Sequence, residues 1–231
     1  MGYYFDWTMI VLIPALLLTM YAQTKIQSAY TKYSKIRAQK GLTGAQVARM
    51  ILNENGLSDV QIELIGGKLS DHYDPRTRVL RLSNGVYNGN SIASNAIAAH
   101  EVGHAIQHAR AYMPLKIRNA IVPVVNIASQ AAMPLIFIGL FFAQFQGLLS
   151  IGIILFSGSV LFQLVTLPVE FDASSRAIKQ LADGGILVGT EIEEGKRVLS
   201  AAALTYVAAA AAAVSQLMRL LLIRDSRNNR N

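Results

Sequence analysis

The chain has no cysteine, and only 15% of its 231 residues are charged. The first lack removes disulfides, thiolate zinc sites and cysteine nucleophiles together, so any transition-metal site must be built from histidine, aspartate and glutamate. The second accompanies a hydrophobic fraction of 52%, too apolar for an ordinary soluble domain of this length. A membrane protein is implied. Basic residues are absent before Lys25, and histidine is scarce throughout, with four in the whole chain. Three of those four nevertheless fall between residues 100 and 108.

They sit in "NAIAAHEVGHAIQHA", residues 95–109. A helix turns 100° per residue, so His100 and His104 lie one turn apart on nearly the same face and can converge on one ion. Zinc accepts histidine nitrogen at about 2 Å, and a catalytic zinc keeps three protein ligands plus an open position for water. Glu101, directly after the first histidine, projects beside that position and is the expected general base for the metal-bound water. A solvated polar face is the bland alternative, but Ala98, Ala99, Val102, Gly103, Ala105 and Ile106 describe a mostly buried helix, where unpartnered ionisable groups are costly. His108 stands about 12 Å along the axis from His100, too far to join the pair, and the glycine bend of HExxHxxGxxH is missing. It reads as a packing or supporting residue.

Three apolar segments are long enough to span a bilayer. Residues 7–22, "WTMIVLIPALLLTMYA", carry aromatics at both ends and are extended upstream by Tyr3, Tyr4 and Phe5. Without a basic residue before the run or a small-x-small site after it, this is expected to be an uncleaved anchor and not a signal peptide. Residues 120–142 and 148–167, joined by the uncharged "AQFQG", are expected to form a helical hairpin. The fourth apolar run, "VLSAAALTYVAAAAAAVSQLMRLLLI", is alanine-rich and interrupted by Arg219, so it either spans or packs partly in the interface. The resulting division is an anchor at 1–24, a soluble module at 25–118, a hairpin at 119–167, a helical segment completing the metal site at 168–197, and an Ala-rich helix with a basic tail at 198–231.

Residues 25–118 hold thirteen of the twenty-one lysines and arginines, and 170–197 hold four more. The positive-inside rule places the histidine motif in the cytoplasm of a multi-pass membrane protein, with the amino terminus outside. Arg219, Arg224, Arg227 and Arg230 oppose a fourth crossing, and that conflict stands. The net charge of +7 is crowded next to the spans, as in "KIQSAYTKYSKIRAQK", which points to anionic lipid headgroups and away from nucleic acid.

Within the module, "LTGAQVARMILNENG" has a Thr43 cap, helical apolar spacing through Val47, Met50 and Ile51, and a terminating Gly56. "VQIEL" alternates as a half-buried strand does, and "LSDHYDPRTRVLRLS" reads as a strand, an Asp74-Pro75 turn and a second strand. Asn84-Gly85 and Asn88-Gly89 are expected to be turns before a helix beginning near Ser91. An edge strand beside the metal can then hold an extended peptide through backbone hydrogen bonds.

A third ligand must come from elsewhere. Pro168 is expected to break the chain after the third span, with a helix of small residues resuming at Val169, close to the first helix. Glu170 in "LPVEFDASSRA" reads equally as that ligand or as an interfacial acid at a helix end. Asp172 faces elsewhere and is expected to support a histidine or to pair with Arg176.

HEVGHAIQH, preceded by "DHYDP" and "LSNGVYNGNSIASNAIAA" and followed by "VEFDASSRA", resembles the bacterial neutral zinc metallopeptidases that are integral membrane proteins. The likeness runs over roughly residues 40–200. More distantly the chain is similar to the heat-shock membrane proteases and CaaX prenyl proteases, gluzincins with HExxH on one helix and a glutamate on a later one. The resemblance implies a mainly α membrane protein with a small α+β zinc-metalloprotease module, one Zn²⁺ per chain held by His100, His104 and Glu170, and Glu101 as base. The distant relatives carry an aspartate at the position of Ser174.

The expected activity is zinc-dependent hydrolysis of a peptide or protein substrate, with His72, Tyr73, Tyr112 and Arg176 as donors available to the developing oxyanion. Two other classes stay open: a membrane adaptor with a structural zinc, which would need four protein ligands, and a basic lipid- or nucleic-acid-binding membrane protein.

Overall fold

The computed structural model describes residues 7–67 and 69–228. Tyr3, Tyr4, Phe5 and Arg230 lie outside the described residues. A 3₁₀ turn at Trp7–Leu12 leads into α1 (Ile13–Tyr33). Then follow α2 (Gly44–Glu54), β1 (Gln61–Ile65), β2 (His72–Asp74), β3 (Val79–Ser83), the single-turn α3 (Asn84–Tyr87) and α4 (Ile92–Ala109). Three long helices complete the chain: α5 (Met113–Phe141), α6 (Gln146–Asp183) and α7 (Thr190–Asn228). This is a mainly α membrane protein with a small α+β module.

Two compact units emerge. The first comprises the described residues of Met1–Ala22, Ile117–Leu167 and Thr205–Asn231. Among the described residues, four helices, Trp7–Tyr33, Met113–Phe141, Gln146–Asp183 and Thr190–Arg227, are long and apolar enough to cross a membrane. In this unit α5 and α6 approach closely through glycines: a Cβ on Gly139 would meet the backbone nitrogen of Leu149 at 2.4 Å, and one on Gly152 would meet Ile136 at 2.7 Å. Ile136, Leu149, Ile153 and Leu220 form its core. Much of the remaining apolar surface, including Ile127, Phe141 and Ile154, is exposed, as lipid-facing side chains are.

The second unit comprises Gln23–Lys116 and Pro168–Leu204. Thr43 caps α2 reciprocally with Gln46, and Gly56, at φ +72°, closes the turn after it. The sheet has the order β1-β3-β2, with β1 parallel and β2 antiparallel to β3, so β2 is an edge. Asp74 ties its hairpin by accepting from the Arg76 amide and the Thr77 hydroxyl. Leu80 and Leu82 of β3 pack with Val47, Ile51 and Leu52 of α2 and with Val102 of α4 in one buried cluster. Ser91 and Ser94 make a second reciprocal cap at the start of α4. Residues 36–38 bond beside that cap, through Ile92 N to Ile36 O at 3.0 Å and Ala38 N to Asn90 O at 3.0 Å.

Two local expectations fail. Pro168 does not break the chain: α6 runs unbroken through it from Gln146 to Asp183. Proline forfeits one backbone bond, but a long apolar helix absorbs that loss, as Pro123 and Pro134 do within α5. Asn84-Gly85, expected to be a turn, instead opens the single-turn helix α3. Gly85 has no positive φ, and Asn88 closes a single helical turn through its backbone and side chain on Asn84.

Candidate metal centre

Helix α4 carries His100 and His104 one turn apart with Glu101 next to the first, and α6 brings Glu170 to them. The approach depends on small residues: Gly103, between the two histidines, faces Ala173, and a Cβ on it would lie 2.6 Å from the Ala173 carbonyl oxygen. Ala173 and Ala177 on α6 are fully buried. Glu170 Oε2 stands 3.3 Å from His100 Nε2 and 3.5 Å from His104 Nε2, and the three ligand atoms lie within 4.8 Å of one another. The two imidazoles meet edge to face, with ring centres 4.8 Å apart.

This arrangement fits zinc. Two ligands on a tetrahedral ion at about 2.0–2.1 Å stand about 3.3–3.4 Å from each other, close to both nitrogen–oxygen distances here. The donors, two imidazoles and one carboxylate, are those zinc accepts at a hydrolytic site with one position open. Among the described residues no other His, Asp or Glu joins the cluster, His108 included.

Glu101 is buried beside the cluster. Burial pushes its carboxyl up to about 7, against the pull of His100, while Glu170 and Asp71 add to the rise. His72, exposed on the edge strand β2, lies near enough to lower it slightly. Asp71 itself is held by the Ser83 amide at 2.7 Å and the Ser83 hydroxyl.

Behind the histidines is a polar shell. Ser174 Oγ lies 3.1 Å from His100 Nδ1. Gln107 Oε1 lies 3.0 Å from His104 Nδ1. The Gln107 amide nitrogen donates to Val169 O at 2.8 Å and to Asp172 Oδ2 at 2.7 Å. Arg176 Nε donates to the same Asp172 oxygen at 2.6 Å, and its guanidinium lies 5.7 Å from the centre of the Tyr112 ring.

Sequence reasoning placed Asp172 behind a histidine or on Arg176. The geometry has it on Arg176 directly and behind His104 through Gln107, a residue the sequence reading passed over. Its spacing, three residues after His104 on the same helix, was the available signal. The four proposed oxyanion donors are dispersed. Tyr73 OH is engaged with His108 Nδ1 at 2.9 Å, in a partly buried setting that raises its pKa. Arg176 and Tyr112 stand together behind the metal cluster, and His72 faces outward with Nδ1 2.9 Å from Ser70 O.

A family model described as "Putative neutral zinc metallopeptidase" matches residues 8–225 of the chain. A Bacillus subtilis (strain 168) protein named "Putative membrane protease YugP" is 51% identical over 211 residues, which cover 91% of this chain and 93% of that one. No solved structure matches the chain significantly.

Proposed function

The chain belongs to this neutral zinc metallopeptidase family, and from that premise we propose that it is a multi-pass membrane endopeptidase whose active site faces the cytoplasm. One observation carries the catalytic reading: His100 Nε2, His104 Nε2 and Glu170 Oε2 converge from two helices, with the buried Glu101 carboxyl beside them. His100, His104 and Glu170 would hold the ion. Zinc, when bound, supplies a Lewis acid that polarises the scissile carbonyl and acidifies water.

Glu101 then moves the proton. It accepts one from the attacking water as the water oxygen bonds to the carbonyl carbon, and delivers it to the amide nitrogen as the carbon–nitrogen bond breaks. Its burial beside the cluster suits that double role, since a carboxylate shielded from bulk water keeps the proton it takes for the departing nitrogen. The edge strand β2 supports an extended substrate, because the side of it turned away from β3 can pair with a peptide backbone.

A purely structural site would close the metal with a fourth protein ligand, whereas the cluster among the described residues has three. The test is direct: the detergent-purified protein should cleave an internally quenched peptide, lose the activity on chelation and regain it with zinc. Cleavage that survives complete chelation would overturn the proposal.

A further inference from the structure

Gln107 offers three hydrogen-bonding groups, and the surroundings dictate which faces which. Its amide nitrogen meets Val169 O at 2.8 Å and Asp172 Oδ2 at 2.7 Å. A carbonyl oxygen can only accept, and so can the carboxylate oxygen that Arg176 Nε holds at 2.6 Å. Turning the amide over would set Gln107 Oε1 against both oxygens and forfeit both bonds. The amide has therefore one chemically acceptable orientation, and in it Oε1 faces His104 Nδ1 at 3.0 Å.

An amide oxygen has no proton to give, so the hydrogen between these atoms belongs to His104. With Nδ1 protonated, the neutral ring has its lone pair on Nε2, the atom directed at Glu170. We infer that Gln107 is a positioning residue that fixes His104 in the metal-ligating tautomer before any ion arrives, with Asp172 and Arg176 setting its direction. The inference rests on the zinc reading above. His100 is treated differently, because its partner Ser174 is a hydroxyl that can donate or accept and so does not choose a tautomer. The directional control is confined to one of the two histidines, and Gln107, buried completely, is shielded from water that could satisfy Nδ1 in its stead.

Zinc affinity of the full-length protein in detergent, measured at pH 8 by competition with a chromophoric chelator, tests this. Gln107→Met keeps the length and removes the polarity; it should weaken zinc about ten- to a hundredfold, the usual cost of losing a partner behind a ligand. Thermal unfolding of the metal-free variants separates metal affinity from general damage. A second readout is the proton itself: in the metal-free wild-type protein labelled with 15N-histidine, the His104 signals, identified by their loss in His104→Ala, should show the hydrogen on Nδ1 at pH 8, and Gln107→Met should lose that preference. If Gln107→Met fails to fold, the wild-type tautomer still decides. Zinc bound by Gln107→Met within about twofold of wild type, or a wild-type His104 protonated on Nε2, would overturn the inference. Full zinc retention by His104→Ala would instead overturn the metal site itself, and that result appears in a different variant.

Discussion

Gly103 and Ala173 bring two helices together backbone to backbone: a Cβ on Gly103 would lie 2.6 Å from the Ala173 carbonyl oxygen. The contact falls within the HExxH turn, so the separation of α4 and α6 there governs how far Glu170 stands from His100 and His104.

Gly103→Ala should accordingly force the helices apart. Overpacking of this kind costs about 1–3 kcal/mol, and the displacement of Glu170 should weaken zinc as well as stability. Thermal unfolding and zinc content of the purified variant check both. A variant with wild-type stability and metal would show that the helices are not held as close as described.

The second expectation concerns metal content. With two imidazoles and a carboxylate and no thiolate, the protein should purify with about one zinc per chain, lose it to a strong chelator and recover it on adding zinc. Elemental analysis reads this out. The His100→Ala, His104→Ala double variant should be zinc-free, and full occupancy in it would place the metal elsewhere.

Orientation is accessible because the chain has no native cysteine to mask. Single cysteines at Arg76 and Lys179, both exposed, should resist an impermeant thiol reagent in intact cells and react once the membrane is opened. Labelling of either from outside would put the module on the exterior face.

Much of this was readable in advance, for physical reasons that differ by residue. His100 and His104 follow from helical spacing alone. Thr43 and Ser91 were legible because capping is local chemistry between residues three apart. Glu170 was ambiguous, since its meeting with the histidines depends on how α6 packs, which no local pattern encodes. Pro168 misled because the rule that proline ends helices weighs one lost bond and ignores the length and packing of α6. Gln107 was invisible because a glutamine in a helix is ordinary; only its four surrounding groups, from Val169, Asp172, Arg176 and His104, give it a direction.

The central claim gives two glutamates different work, Glu101 moving protons and Glu170 holding metal, and the most direct measurement pairs zinc content with peptide hydrolysis in two variants. Glu101→Gln is nearly isosteric and removes no proposed ligand, so it should keep its zinc while activity falls about a hundredfold or more. Glu170→Gln replaces an anionic ligand by a neutral oxygen and should be inactive through loss of zinc. Glu101→Gln hydrolysing peptide at the wild-type rate, or Glu170→Gln binding zinc as tightly as wild type, would contradict the account.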